Sequence, residues 1–189
     1  MNNKISLVLA SGSPRRKELL TQLGYRFDIV LSDIKEEQQD NETAYDYVLR
    51  LSLEKAQAGL AMSSFDAVVL GSDTVVVCDG FILEKPNDFE HSKRMLNQLS
   101  GRHHQVMTAV SVVSAEQQYS QVVVTDVWFK SLTDEEIEQY WQSGEPCDKA
   151  GSYGIQGLGG RFVTRIEGSY YAVVGLPLFE TDQLIQEFL

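Results

Sequence analysis

The chain has 189 residues, of which 27 are acidic and 16 are basic, so its formal net charge is -11 at pH 7. A surface of that sign repels polyanions, which argues against binding to DNA, RNA or an anionic membrane. The length suits one domain that can bury a core. Its two cysteines, Cys78 and Cys147, are too few for a disulfide framework and indicate a reducing cytoplasm.

No stretch of the sequence approaches the roughly 20 apolar residues that a membrane span requires. The apolar run at residues 5–10 is too short for the core of a signal peptide. We therefore expect a single cytoplasmic domain over residues 1–189, in which any phosphate site is a local basic pocket.

Apolar runs and turn residues alternate along the chain. Strands are predicted at residues 5–10, 27–31, 67–70, 75–77, 81–83, 106–113, 122–129 and 162–166. Helices are predicted between Ser13 and Gly24, from Thr43 to about residue 60, over 88–99, from Thr133 to about residue 141, and after Pro177. The alternation is irregular, and two long strands follow each other directly near residue 115. This order favours a mixed α/β sheet flanked by helices.

The first candidate site is the segment from Ser11 to Lys17, between a predicted strand and a predicted helix. Free N–H groups and the helix dipole favour an anion there, glycine lets the backbone approach it, and arginine adds charged hydrogen bonds. An ordinary loop with a solvated basic turn fits the same residues. Arg15 and Arg16 favour the phosphate site, because cations at a helix N-terminus oppose its dipole unless an anion compensates them.

The second candidate site is the polar segment from Gly71 to Thr74, which interrupts an otherwise apolar strand region. A carboxylate such as Asp73 loses hydration in that setting and needs a metal, a cation or hydrogen-bond donors. The alternative is an aspartate that caps a turn between two separate strands. A metal-binding or proton-accepting Asp73 at a strand end would give the same pattern.

Two lysines and one glutamine are weaker candidates. Lys85 precedes Pro86 at a strand end, where it can neutralise phosphate oxygens, although surface lysines are common. Lys55 lies on a helix beside Glu54, and a solvated helix face explains it better than a catalytic role. Gln156 lies in the glycine-rich segment 151–160, which predicts a tight loop in which the amide reads a base edge. A flexible connector is the alternative there.

Five motifs, taken in chain order, resemble the Maf family of nucleotide pyrophosphatases. They are LASGSPRRKELL at 9–20, GSDTVV at 71–76, LEKP at 83–86, SGRHHQVMTAV at 100–110 and DKAGSYGIQGLGG at 148–160. The last motif, with VVGLPL at 173–178, is similar to the branch that hydrolyses dTTP and UTP. The resemblance implies a fold like that of the inosine triphosphate pyrophosphatases, with two lobes around a central cleft. It also implies a homodimer, a divalent cation such as Mg or Mn, and no nucleic-acid binding.

The resemblance also implies roles for individual residues. Asp73 matches the catalytic proton acceptor, and Glu36 matches an acid of the metal site. Phosphate handling is implied for Ser11, Arg15, Arg16, Lys55 and Lys85. Base choice is implied for Arg15, Thr74 and Gln156. Two positions depart from the family pattern: Ser72 replaces a usual alanine, and Lys35 replaces a common acid, so Glu37 is an alternative to Glu36 at the metal.

The implied reaction is attack of water on the α-phosphorus of a nucleoside triphosphate, with pyrophosphate as the leaving group. Nucleotide-pool sanitation and arrest of cell division are the roles that would follow. One alternative is a nucleotidyltransferase, because a strand, a Gly/Ser loop and an arginine before a helix also open that class of enzyme. The other is a non-catalytic nucleotide sensor that regulates septum formation.

Overall fold

The computed structural model describes residues 6–188, which form one seven-stranded sheet and six α-helices. The strands are β1 (Ser6–Ala10), β2 (Phe27–Val30), β3 (Ala67–Cys78), β4 (Phe81–Leu83), β5 (His103–Val113), β6 (Gln118–Phe129) and β7 (Val163–Glu167). The helices are α1 (Pro14–Gln22), α2 (Ala44–Ala61), α3 (Phe89–Leu99), α4 (Asp134–Gln142), α5 (Tyr170–Val174) and α6 (Leu178–Gln186). The first residue of the predicted strand 5–10, Ile5, lies outside the described residues.

The sheet is mixed, as predicted. Its strand order is β2-β1-β3-β5-β6-β7, and β4 pairs with β3. β1 runs parallel to β2 and to β3, whereas β4 is antiparallel to β3 and β7 is antiparallel to β6. Parallel strands need a crossover connection, which α1 and α2 supply, and antiparallel strands can be joined by short turns. The irregular alternation of strands and helices in the sequence reflects this mixture.

Four helix starts lie where the sequence predicts them, because a side chain caps each one. Ser13, Thr43, Asp88 and Thr133 each accept a hydrogen bond from a backbone N–H three residues later. Thr133 also forms a full capping box with Glu136. Such caps satisfy N–H groups that have no partner inside the helix, and each typically stabilises a helix by about 1 kcal/mol.

The chain folds into two compact units. The first comprises the chain up to Asp73, together with Thr108–Val123 and the chain from Gly175 onward, and the second comprises Thr74–Met107 and Val124–Val174. The expected single domain over residues 1–189 stays a prediction. No helix within residues 6–188 is long and apolar enough to cross a bilayer.

In the first unit, α2 packs closely against β1 and β3. Ala56 of this helix belongs to a buried cluster with Val8 and Val69 of the two strands. Gly71 of β3 makes the approach possible, because a Cβ at that position would lie 2.6 Å from the backbone nitrogen of Ala56. The backbone of β3 therefore lies directly beside the middle of α2.

The second unit has its own aromatic core. Buried side chains of α3, α4, β5 and β6 meet there, and Phe129, Tyr140 and Phe162 stack edge-on or tilted at centroid distances of 5.0 and 6.0 Å. The predicted hairpin from β3 to β4 is present. Asp79 and Gly80 both have positive φ, at 51° and 81°, as a two-residue turn of this twist requires.

Besides the earlier starts of β5 and β6, at His103 and Gln118, the structure differs from the predicted elements in two places. The segments 67–70 and 75–77 are parts of one continuous strand, β3, so the alternative of an aspartate in a turn between two strands is wrong. The polar residues between them belong to this strand instead of interrupting it. Helix α5 is absent from the predicted elements, because its five residues are too few to show a helical period.

His104 is a buried base in the core of the second unit, with 2 % of its surface exposed. Its Nε2 lies 2.7 Å from the hydroxyl of Tyr153, and its Nδ1 has no hydrogen-bond partner among the described residues. Burial lowers the pKa of His104 from 6.5 to about 4, and the neighbouring His103 contributes to the shift. The neutral imidazole is therefore the form that the fold accepts.

We predict that protonation of His104 makes the second unit less stable in mild acid. Because the folded-state pKa is depressed, stability is full above pH 6.5 and is lost as the pH falls towards 4, by up to about 3 kcal/mol. Urea unfolding at several pH values measures the loss. The variant His104→Gln should lack this component, and the exposed neighbour His103→Asn should retain most of it, because burial is the larger cause of the shift. Equal pH dependence in wild type and His104→Gln would contradict the prediction.

Candidate functional site

The centre of the candidate site is a buried carboxylate that is paired with a buried lysine. Asp73 ends the part of β3 that belongs to the first unit, and 6 % of its surface is exposed. Lys55 of α2, which is 9 % exposed, donates a hydrogen bond from Nζ to Oδ1 of Asp73 at 2.7 Å. Breaking such a pair would leave an uncompensated buried charge, which is strongly unfavourable.

A second carboxylate reaches the same ammonium group. Oε1 of Glu36 lies 2.8 Å from Nζ of Lys55, and 49 % of the Glu36 side chain is exposed. One lysine thus bridges a buried and a partly solvated carboxylate. The neighbouring Glu37 instead pairs with Lys35 on the surface.

Arg16 contributes a second positive charge in the first turn of α1. Its Nε donates a 2.9 Å hydrogen bond to the carbonyl oxygen of Gly175, and the hydroxyl of Ser72 donates to the same oxygen at 3.1 Å. Gly175 has a φ of 131°, which is the left-handed region that glycine tolerates. This carbonyl therefore fixes the guanidinium beside the strand residue that precedes Asp73.

The charges of this cluster act on one another through a poorly hydrated environment. Burial raises the pKa of Asp73, and the charges of Lys55 and Arg16 oppose that rise. Burial likewise lowers the pKa of Arg16, while the nearby carboxylates of Asp73 and Glu36 oppose that change. The charges of Arg15 and Arg16 oppose the dipole of α1. For Arg16, the carboxylates of Asp73 and Glu36 partly compensate this effect.

The two other candidates of the first unit lie on the loop after β1. Ser11 is half-buried, and its hydroxyl accepts a hydrogen bond from the backbone nitrogen of Ser13 at 3.2 Å. Arg15 is half-buried, and its charge lowers the pKa of the adjacent Arg16. The loop thus combines backbone N–H groups with two guanidinium groups at a helix start.

The remaining candidates belong to the second unit. Thr74 is half-buried on β3, and Lys85 is exposed on the segment after β4. Gln156 is exposed in the glycine-rich segment. A backbone hydrogen bond of 3.2 Å from the nitrogen of Gly151 to the oxygen of Glu84 joins the segment of Lys85 to the glycine-rich segment.

The glycine-rich segment is tightly folded, so the flexible-connector alternative is wrong. It contains the 3-10 turns Ala150–Ser152 and Leu158–Phe162. Gly151 has a φ of 66°, and a Cβ there would lie 2.8 Å from the side chain of Val76. Tyr153 is buried against Phe129 at a centroid distance of 4.7 Å. Gln156 therefore extends from a segment with a fixed backbone.

Sequence reasoning misses three features of these sites. The preference for a solvated Lys55 is wrong, although Lys55 lies four residues after the buried Leu51 and three after the buried Ser52, on one helix face. The carbonyl of Gly175 is not recognisable as a partner, because no side chain marks it. Glu145, which contacts the glycine-rich segment, also escapes notice, since a single acid before a proline is an ordinary turn residue.

Two carboxylates of the site, on Asp73 and Glu36, are oxygen donors of the kind that a divalent cation uses. No group of three or more His, Cys, Asp or Glu side chains within residues 6–188 is arranged to hold a metal. The carboxylates of Asp73 and Glu36 do converge on one cationic group, the ammonium of Lys55. Mg²⁺ typically uses one or two carboxylates together with waters and substrate phosphates, so this donor set suits such an ion.

The sequence of this chain matches the model of one protein family over almost its whole length. The family described as "Maf-like protein" matches residues 6–188, so the chain belongs to the Maf family. It is 82 % identical over 189 residues to a Vibrio parahaemolyticus protein named dTTP/UTP pyrophosphatase, covering 100 % of both chains. A Vibrio cholerae protein of the same name is 64 % identical, covering 96 % of this chain and 97 % of the other.

Among solved structures, the Ham1 protein of Staphylococcus aureus is similar, with a TM-score of 0.48 and 12 % identity. The likeness covers 66 % of this chain and 71 % of that chain.

The contact between Lys55 and Asp73 predicts how Asp73 titrates. We expect Lys55→Met to raise the pKa of Asp73 further, because the variant removes the cation that opposes the effect of burial. Carboxyl carbon NMR in metal-free buffer measures this pKa, and Asp73→Asn assigns the signal. Lys35→Met, which removes a lysine paired with Glu37, is the matched control and should leave the titration unchanged. An unaltered or lower pKa of Asp73 in Lys55→Met would show that the pair is not formed in solution.

Proposed function

We propose that this protein hydrolyses dTTP and UTP to the nucleoside monophosphate and pyrophosphate. Membership of the Maf family and 82 % identity to a protein named dTTP/UTP pyrophosphatase support the substrate. The observation that carries the chemistry is the buried pair of Asp73 and Lys55, with Glu36 on the same ammonium group. A desolvated carboxylate beside cations is suited to proton transfer next to a polyphosphate.

In this proposal, the cations of the site bind the triphosphate. Lys55, Arg15 and Arg16 hold phosphate oxygens, and the hydroxyl and backbone of the loop at Ser11 add hydrogen-bond donors. Lys85 neutralises charge that develops on the leaving pyrophosphate. Lys55 already bridges two carboxylates. An arriving phosphate therefore competes with Asp73 and Glu36 for the hydrogen bonds that the ammonium group of Lys55 donates.

Asp73 is the proposed proton acceptor. A water oxygen forms a bond to the α-phosphorus while the bond from that phosphorus to the bridging α,β-oxygen breaks. The proton of the water passes to the carboxylate of Asp73, and pyrophosphate leaves with the electron pair of the broken bond. The partly desolvated position of Asp73 favours this transfer, since burial makes the carboxylate more basic than a solvated one.

A divalent cation, Mg or Mn, is part of the proposal. Asp73 and Glu36 would hold it, and contact with Lys55 favours Glu36 over Glu37. Such an ion, when bound, neutralises phosphate charge and polarises the phosphoryl oxygens. An ion held by these carboxylates would leave the ammonium of Lys55 to bind the phosphates.

Gln156 is proposed to read the base, together with Thr74 and Arg15. Uracil and thymine present an N3–H donor beside an O4 acceptor, which match the two halves of one amide. Cytosine reverses both hydrogen-bonding roles, so an amide held in one orientation rejects it.

We also propose a cytoplasmic homodimer that binds no nucleic acid. The net charge of -11 disfavours polyanions. The buried Cys78 and the exposed Cys147 are both free thiols, which suits a reducing compartment. The roles in nucleotide-pool sanitation and cell division stay predictions.

The proposal predicts the products of a simple incubation. Purified protein with MgCl₂ and each nucleoside triphosphate in turn should convert dTTP and UTP to the monophosphate and pyrophosphate, and it should convert CTP poorly. Anion-exchange chromatography separates the products. Tight binding without turnover would favour a nucleotide sensor instead. Turnover that appears only when a sugar phosphate is added would favour a nucleotidyltransferase.

Two variants establish whether the activity belongs to this site. Asp73→Asn should lower kcat on dTTP by about 100-fold or more, which is the usual range for loss of a proton acceptor. Asp66→Asn changes an exposed aspartate on the turn before β3 and should leave kcat unchanged. Near-normal turnover by Asp73→Asn would contradict the role assigned to Asp73.

A further inference from the structure

The part of the glycine-rich segment that carries Gln156 is tied at both of its ends to two side chains. At the start, the backbone nitrogen of Gly154 donates to the hydroxyl of Tyr140 at 3.1 Å. At the end, the nitrogens of Leu158 and Gly159 donate to the carboxylate of Glu145 at 2.8 and 3.0 Å. The hydroxyl of Tyr140 in turn donates to Oε1 of Glu145 at 2.7 Å. We call Tyr140 and Glu145 the loop clamp.

Glycines allow the segment to approach the loop clamp this closely. A Cβ at Gly159 would lie 2.5 Å from the hydroxyl oxygen of Tyr140, and a Cβ at Gly157 would overlap the carboxylate of Glu145. Any other residue at either position would push the segment away. Gly157, next to Gln156, and Gly159 are therefore explained by contact with the loop clamp.

The loop clamp is itself held rigidly. Tyr140 is fully buried on α4 and packs edge-on against Phe162 at 5.0 Å. The backbone oxygen of Glu145 accepts a hydrogen bond of 2.8 Å from Nζ of Lys149. Gln156, in contrast, is exposed. A fixed base thus supports an exposed amide.

The hydrogen-bond donors around Glu145 suit an ionised carboxylate specifically. Burial alone would raise the pKa of Glu145, and the hydrogen bonds from Gly159, Tyr140 and Leu158 lower it instead. A carboxylate accepts through both oxygens, whereas an amide of the same shape replaces one acceptor with a donor. That donor would face a backbone N–H group of the segment.

We infer that Glu145, together with Tyr140, is a positioning residue that sets nucleobase selectivity by fixing the segment from which Gln156 extends. The inference rests on the proposed function, in which the amide of Gln156 reads the base. An amide on a mobile segment could turn or retreat and would accept the reversed hydrogen-bonding pattern of cytosine. The loop clamp removes that freedom without touching the substrate.

The test is the selectivity of Glu145→Gln. We expect the KM for UTP to rise about tenfold with kcat within about threefold, and the ratio of kcat/KM for UTP to that for CTP to fall about tenfold. Tyr140→Phe removes the other half of the clamp and should change the ratio in the same direction. Glu138→Gln removes an exposed charge of α4 and is the matched control, with wild-type selectivity.

A double-mutant cycle separates positioning from general damage to the fold. If Glu145 acts through Gln156, then Glu145→Gln should cause no further loss of selectivity in a Gln156→Ala background. Effects that multiply, or an equal loss of activity on UTP and CTP, would overturn the inference. If the wild type is active and both clamp variants keep its selectivity, the inference is overturned and the proposed function stands. A wild type that releases no pyrophosphate from UTP would instead overturn the proposed function, and the inference with it.

Discussion

The constraint on which the candidate site depends is the burial of a carboxylate. A buried Asp73 is stable as an ion only if cations stand close to it, because its lost hydration must be replaced. Lys55 supplies one charge by direct contact, and Arg16 supplies another through space. Each cation is held in place by another part of the fold. The carbonyl oxygen of Gly175 holds the guanidinium of Arg16, and the close packing of α2 on β3 holds Lys55 beside Asp73.

In this cluster, the two positive charges of Lys55 and Arg16 face the two negative charges of Asp73 and Glu36. Two carboxylates share one ammonium group, and one of them, Glu36, remains half exposed. Loss of Lys55 would leave the buried Asp73 without its hydrogen-bond partner, whereas Glu36 remains partly solvated. In the proposed function, the phosphates of a triphosphate would accept hydrogen bonds from Lys55 and Arg16, and a divalent cation would bind the carboxylates of Asp73 and Glu36.

Local rules predict much of the fold, and they fail where long-range contacts decide. The helix starts at Ser13, Thr43, Asp88 and Thr133 and the turn at Asp79 are set by neighbouring residues, so the sequence alone locates them. The continuous strand through Asp73 depends on long-range contacts, because Asp73 pairs with Lys55 of α2 and Ser72 donates to the carbonyl oxygen of Gly175. Lys55 is misassigned for the same reason: its neighbour Glu54 suggests a solvated face, whereas the helical period places it beside Leu51 on the buried face. The sequence does not reveal the role of Glu145, because only the folded glycine-rich segment shows which N–H groups donate hydrogen bonds to its carboxylate.

A crystal structure of the protein with MgCl₂ and a dTTP analogue, in which an imido group replaces the α,β-bridging oxygen, would show directly how the site binds its ligands. We expect phosphate oxygens within hydrogen-bond distance of Lys55 and Arg16, and a metal ion ligated by Asp73 and Glu36. A triphosphate bound away from this cluster, with Lys55 still bridging Asp73 and Glu36, would contradict this expectation.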